Sequence, residues 1–152
     1  MYDNILVPTD GSETAEVAVE HAVEMAKRYD ATLHTLYVVD IDAVNLSLGT
    51  EQVDRLKAGG LDEMEDVKEK AEESTGRVAE RADEEGVKVV QEVRAGSPHD
   101  AIVKYAENNG IDVIVMGSHG RGGVRRALLG SVAERVLRTT HLPVFVVDVE
   151  EK

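Results

Sequence analysis

The residues best suited to chemistry stand in one stretch: Gly117-Ser118-His119-Gly120-Arg121-Gly122-Gly123-Val124-Arg125-Arg126-Ala127-Leu128-Leu129-Gly130-Ser131. Glycines let backbone N–H groups approach an anion closely. Ser131 opens a helical pattern, and the free N–H groups and dipole of a helix start favour a phosphate. The charge pattern agrees. No acidic residue occurs from Val113 to Ala133, whereas Arg121, Arg125 and Arg126 do, in a chain whose formal charge is −13. A plainer reading stands beside this one. Ser131-Val132-Ala133-Glu134 is also a capping box, which needs no ligand, and Gly117 and Gly120 could simply make a turn. The two readings coexist, because a capping hydroxyl can also turn to a phosphate.

Other phosphate motifs fail here. A P-loop requires lysine and then serine or threonine after Gly122, where the chain has Gly123-Val124. The dinucleotide fingerprint belongs after a first strand, with an acid about 20 residues on, and this loop comes much later. Asp10 follows the first apolar run, where a carboxylate could accept from ribose hydroxyls; Asp10-Gly11 could equally be a turn, with Ser12 capping the next helix. Five histidines, His21, His34, His99, His119 and His141, show no zinc-site spacing, and only His119 lies in the glycine loop. There is no cysteine, which excludes disulfides, thiolate metal sites and cysteine nucleophiles, and no Gly-x-Ser-x-Gly elbow. No catalytic residue and no protein metal site is assigned.

The elements that must position these groups are legible as alternation. Ile5–Val7 reads as a buried strand ending in Pro8-Thr9-Asp10-Gly11. A helix follows, with Ala15, Ala18, Val19, Ala22, Ala26 and Tyr29 on one face, Ser12 as its cap, and Glu13 and Glu16 at its positive end. Leu33–Val39 is a second strand. Residues 41–60 give mixed signals and read as a variable connection. Helical spacing returns from Leu61 through Met64, Val67, Ala71, Val78 and Ala82 to Gly86. Val87–Val93 is a third strand. Ser97-Pro98-His99-Asp100 opens a helix burying Ala101, Ile102, Tyr105 and Ala106, with serine at the cap, proline at the first helical position and aspartate able to answer the cap. Ile111–Met116, a helix from Ser131 to about Thr140, and Pro143–Val149 complete the order βαβαβαβαβ. Nearly continuous apolar strands separated by helices predict an α/β fold, a single doubly wound domain over residues 1–152, with a five-stranded parallel sheet covered by helices on both faces.

Composition sets the outer limits. With 30 acidic against 17 basic residues, nucleic acid and anionic membranes are poor partners for the surface as a whole. No apolar run approaches the roughly 20 residues of a membrane span. The start lacks the basic region of a secretory signal, so the expected compartment is the cytoplasm. Seven lysines among so many acids are the composition expected of a protein from high salt, and equally of an ordinary acidic protein.

The chain resembles the universal stress protein family over nearly its whole length. One signature is Ile5-Leu-Val-Pro8-Thr9-Asp10-Gly-Ser; the more specific one is Gly117-x2-Gly120-x9-Gly130-Ser131, followed by Pro143-Val and an apolar strand. The resemblance implies the sheet order 3-2-1-4-5, a homodimer and an adenine nucleotide cofactor, ATP with or without magnesium. It implies a nucleotide site in which Pro8, Thr9 and Asp10 take part, Asp10 holding the ribose. Val38 would meet adenine through its backbone. Gly117, His119 and Gly120 would line the phosphates, and Gly130, Ser131 and Val132 would bind them from the helix start. Leu142 stands where many members have cysteine. A non-catalytic regulator switched by nucleotide is the leading expectation. The alternatives are a slow ATPase or nucleotidyl transferase, and a member that has lost nucleotide and acts through protein contacts. Protein partners are not specified by any residue.

Overall fold

The computed structural model describes residues 1–41, 65–119 and 129–149. The strands are β1 (Asn4–Pro8), β2 (Thr32–Asp40), β3 (Val89–Gly96), β4 (Val113–Gly117) and β5 (Val144–Val147); the helices are α1 (Glu13–Tyr29), α2 (Glu65–Glu84), α3 (Pro98–Asn108) and α4 (Ser131–Thr139). The sheet is parallel in the order β3-β2-β1-β4-β5. The doubly wound α/β fold and the strand order implied by the resemblance are both present.

Alternation within the strands makes the two layers. Ile5, Val7, Leu33, Val113 and Val115 point to the face covered by α1 and α2, where Ala18, Ala22, Val78 and Ala82 meet them. Leu6, Leu36, Ile114 and Met116 point to the other face, against Ile102, Tyr105 and Ala106 of α3 and Ala133 and Val136 of α4. Ile5, Leu6, Val7 and Ile114 are fully buried. At about 1.5–3 kcal/mol for each such side chain, the β1–β4 pair is a rigid floor for whatever sits at its end.

Helix α1 starts as expected: the Ser12 hydroxyl accepts from Ala15 N at 3.2 Å, and Glu13 and Glu16 lie in the first turn. Its face differs at one position. Val23 is buried, whereas Tyr29 is 52% exposed and packs edge-on against Tyr2. Tyr29 lies in the last turn, just before Asp30 reverses the chain at φ 53°, where the buried stripe has run out. Leu61 and Met64 lie outside the described residues, as does nearly all of the 41–60 connection. In α3 Val103 joins Ile102, Tyr105 and Ala106 in the core, and Ala101 is only half-buried.

Two strand boundaries move for one reason: residues flanking a strand are used to close the preceding helix. Val87 donates its N–H to Ala82 O at 2.9 Å, so β3 begins at Val89 and follows β2 as far as Gly96. Ile111 donates to Ala106 O at 3.2 Å, so β4 begins at Val113. Strand β5 is shortened at both ends to Val144–Val147. The Ser97 cap is also corrected. Serine holds the N-cap position and Pro98 follows, but no side-chain cap bond forms. Ser97 Oγ lies 3.2 Å from His99 Nδ1, and Asp100 pairs with Lys104 at 2.9 Å instead of answering the cap.

Candidate functional site

In a doubly wound sheet the chain leaves neighbouring strands in opposite directions at one point, and a crevice opens beyond their carboxyl ends. Here that point lies between β1 and β4, which pair through Ile5–Val113 and Leu6–Ile114. Beyond β1 come Thr9, Asp10 and Gly11; beyond β4 come Ser118 and His119; helices α1 and α4 start nearby. The β1 turn is tightly specified. Thr9 N donates to Leu36 O at 2.9 Å, Gly11 N to Thr9 Oγ1 at 3.2 Å, and Ser12 N to the Asp10 carboxylate at 2.9 Å. Both plainer readings of this turn, Asp10 as a turn residue and Ser12 as a cap, are therefore realised.

Val38 is placed by register. The β1–β2 pairing ends at Pro8–Leu36. Thr32 N donates to Asp3 O and Leu36 O accepts from Thr9 N, so even-numbered β2 residues turn their backbone groups toward β1. The N–H and C=O of Val38 follow that alternation and point past the end of β1, into the crevice. Its side chain packs with the α3 layer.

The two motif glycines that lie among the described residues are explained first by the protein's own packing. A Cβ on Gly117 would stand 2.7 Å from Thr14 Cγ2 and 3.3 Å from the Thr14 backbone, so glycine lets the end of β4 touch the start of α1. A Cβ on Gly130 would stand 2.9 Å from His119 Cα and 3.2 Å from Ser118 O, so glycine lets the two ends of the loop close on each other. Gly120 and the arginines Arg121, Arg125 and Arg126 lie outside the described residues.

The start of α4 overturns the capping-box reading. Gly130, not Ser131, is the N-cap: it is extended at φ −72° and ψ 165°, and its carbonyl accepts from Glu134 N at 3.0 Å. Its own N–H donates to Ser118 O at 2.6 Å, which fixes it as the last extended residue. Ser131 thus becomes the first helical residue, and Glu134 pairs with Arg138 at 2.8 Å. A glycine cap has no side-chain oxygen to offer the first-turn amides, and those of Ser131 and Val132 have no acceptor within the helix.

Next to this helix start is a cluster that sequence reasoning missed. Ser118, almost fully buried, donates its hydroxyl to Asp148 Oδ1 at 2.7 Å and lies 2.9 Å from His119 Nδ1. Its N–H donates to Val147 O at 2.8 Å. The Ser118 hydroxyl, more than any other group, holds the Asp148 carboxyl below the usual carboxylate range. Ser118 was visible inside the loop; Asp148, thirty residues on, carried no signal beyond being the first charge after β5.

Among the described residues no group of three or more histidines, aspartates and glutamates could hold a metal ion. No described helix is long and apolar enough to cross a membrane. A groove of about 640 Å³ lies elsewhere, between α1 and α2. Its charges answer one another, Arg81 with Glu20 and Glu85, and Lys27 with Glu85, at 2.9–3.0 Å. The site at the strand ends differs in that its helix start has no side-chain cap from Gly130.

Comparison with known proteins identifies the family. A family model, the universal stress protein family, matches residues 1–148. Universal stress protein MJ0531 of Methanocaldococcus jannaschii is 41% identical over 154 residues, covering 100% of this chain and 85% of that protein. The solved structure of MJ0577, from the same organism, superposes with a TM-score of 0.74 at 34% identity, covering 100% of this chain and 99% of that one. A universal stress protein from Archaeoglobus fulgidus, solved in complex with dAMP, shares the fold with a TM-score of 0.66 at 21% identity, covering 96% and 98%. With the family match spanning nearly every residue and the strand order in place, the chain belongs to the universal stress protein family.

Proposed function

We propose that the chain binds ATP at the carboxyl ends of β1, β2 and β4 and acts as a nucleotide-dependent regulator in a stress response. The observation that carries the reading is the start of α4: a helix capped by a side-chain-free residue, held beside the switch point, with first-turn amides that this residue cannot cap. Ser131 and Val132 offer those amides to phosphate, and Gly117, Gly120 and His119 border it. Pro8, Thr9 and Asp10 take the ribose side, and the Val38 backbone meets adenine. Magnesium, where present, would arrive on the phosphates themselves. The dAMP complex of the Archaeoglobus protein puts an adenine nucleotide on this fold. One domain, the cytoplasm and a high-salt setting complete the reading; the last rests on the acidic, lysine-poor composition. Mass spectrometry of the small molecules released from purified, denatured protein tests the central point. It should find an adenine nucleotide, and protein that neither carries one nor binds one in molar KCl would end this reading. Turnover of many ATP per minute would replace regulator by enzyme.

The same reading includes a homodimer through β5. Its partner edge in the sheet, β3, carries Glu92 and Arg94, charges that blunt a strand against pairing. β5 carries none, and Phe145 is 45% exposed. Ile114 N donates to Pro143 O and Ser118 N to Val147 O, so odd-numbered β5 residues face β4 and the N–H of Val146 faces outward. Antiparallel pairing with a second copy would cover that edge symmetrically. Val146→Pro removes an outward donor without touching the β4 ladder and should give monomers by light scattering. A dimeric Val146→Pro protein would place the interface elsewhere.

A further inference from the structure

At the closed, amino end of the sheet, α3 stops on an asparagine followed by a glycine. The chain has four asparagines: Asn4, Asn45 and Asn108 precede Ile5, Leu46 and Asn109, whereas Asn109 precedes Gly110. That last pairing has its own chemistry. The backbone nitrogen of the following residue can attack the asparagine side-chain carbonyl. Glycine, with no Cβ, neither shields that nitrogen nor restricts the backbone that must swing it into place. The Gly110 nitrogen loses its proton to solvent as it bonds to Asn109 Cγ, and Nδ2 leaves as ammonia. Water then opens the five-membered imide at either carbonyl. The product is aspartate, or isoaspartate with the chain routed through the side chain. One amide and one water become one carboxylate and one ammonium, so no oxidant or reductant is needed.

Asn109 and Gly110 are both exposed, and a Cβ on Gly110 would meet nothing within 4 Å. Solvent therefore reaches the pair, but the fold holds it in an unreactive geometry. At ψ 17° the Gly110 nitrogen nearly eclipses Asn109's own nitrogen, and ring closure needs it beside Cβ. Asn109 Nδ2 donates to Tyr105 O at 2.9 Å, the same carbonyl that accepts from Asn109 N at 3.0 Å. Gly110, at φ 61°, then turns the chain so that Ile111 N reaches Ala106 O at 3.2 Å. Tyr105, Ala106 and Ile111 are buried, which anchors the turn on both sides. Swinging the Gly110 nitrogen to Cγ breaks these bonds together. The other described asparagines are worse placed. The nitrogen after Asn108 is spent on Tyr105 O, and Asn4 lies in β1 with its Oδ1 3.0 Å from His34 Nε2.

We propose that Asn109 is a site of spontaneous deamidation, gated by the last turn of α3, so that the modification accumulates as a record of how often that turn opens. The product acts on its own gate. A carboxylate cannot donate to Tyr105 O, and it adds negative charge at the negative end of the helix dipole. A modified chain therefore opens there more readily than an unmodified one.

The test incubates the full chain, native and in concentrated urea, side by side at mildly alkaline pH. Peptide mass spectrometry follows each asparagine. In urea Asn109 should outpace the other three. In the native chain its rate should fall well below the urea rate, still exceed that of the other described asparagines, and rise with temperature in step with hydrogen exchange at the Ile111 amide. Asn109→Asp reproduces one product. It should melt about 2–4 °C lower, the shift expected for one lost hydrogen bond in a chain of this length, and exchange its Ile111 amide faster. Equal native and urea rates would overturn the proposal, because the turn would then gate nothing. So would native modification at Asn4 or Asn108 before Asn109, or an unmodified Asn109 in a chain whose Ile111 amide exchanges freely. Unchanged melting and exchange in Asn109→Asp would overturn the action of the product on its gate.

Discussion

The two ends of the β1–β4 pair are built from the same strands and treat their polar groups in opposite ways. At the amino end the described polar groups beside the strands answer one another. The Asp112 carboxylate accepts from Asp3 N at 2.8 Å and Asn4 N at 2.9 Å. His34 lies 3.0 Å from Asn4 Oδ1 and 2.8 Å from the Tyr105 hydroxyl. At the carboxyl end the α4 amides are capped by a residue with no side chain, and Val38 turns its backbone beyond its partner strand. A parallel sheet gathers helix starts, hence partial positive charge, at the carboxyl end of its strands, so that end suits an anionic ligand and the other suits closure. Substitutions at the two ends should therefore separate binding from stability.

Gly130→Val carries the largest expected effect. Its Cβ would meet His119 Cα at 2.9 Å, forcing the loop ends apart and tilting the start of α4. ATP binding by calorimetry should fall below detection. Ala133 and Val136 still anchor the helix in the core, so the loss of stability should stay near about 1–3 kcal/mol. A variant that binds normally would show that the loop closure is irrelevant to the ligand.

At the opposite end, Asp112→Ala strands two backbone donors at the entry to β1. Stability in urea should drop by about 1–3 kcal/mol with ATP affinity per folded molecule unchanged. A parallel loss of affinity would erase the contrast between the ends.

Ser131→Ala sharpens it further. Because Gly130 is the cap, the Ser131 hydroxyl supports no helix-capping bond, and the melting temperature should hold. ATP affinity should weaken by about 0.5–1.5 kcal/mol if the hydroxyl reaches phosphate. A fall in melting temperature with affinity intact would restore the capping role.

The smallest effect concerns His34. Burial lowers its pKa from the ordinary value, against an opposing pull from Glu92. Between the lowered value and the ordinary imidazole value near about 6.5, the unfolded chain binds more protons than the folded one. Stability should therefore fall as pH drops through that window. His34→Gln should flatten part of the decline in melting temperature between about pH 7.5 and 5.5. An unchanged slope would mean that the amino end is less closed than its hydrogen bonds indicate.

Most of the fold was legible because apolar strands and helical stripes are local patterns. Ile5–Val7, the Ser12 cap and the Ala18–Ala22–Ala26 stripe needed no partner to be read. What was not legible depended on which partner each backbone group takes. Val87 and Ile111 read as strand because they are β-branched, yet each N–H closes a helix. Ser131 read as a cap because Ser-x-x-Glu is a local signature, and the bond from Gly130 N to Ser118 O, which overrides it, is visible only in three dimensions. The glycine spacing was legible as a phosphate motif; that Gly117 accommodates Thr14, and Gly130 accommodates His119, was not. Asp148 lay outside the motif altogether.

The central claim is that the open carboxyl end is a nucleotide site, and calorimetry of wild type with ATP, adenosine and inorganic triphosphate in molar KCl tests it most directly. ATP should bind at one site per chain, more tightly than either fragment, because base, ribose and phosphate groups are all engaged. Asp10→Ala should weaken ATP while leaving triphosphate nearly unchanged. Triphosphate binding as tightly as ATP would reduce the site to an anion hole, and no heat from any of the three would contradict the account.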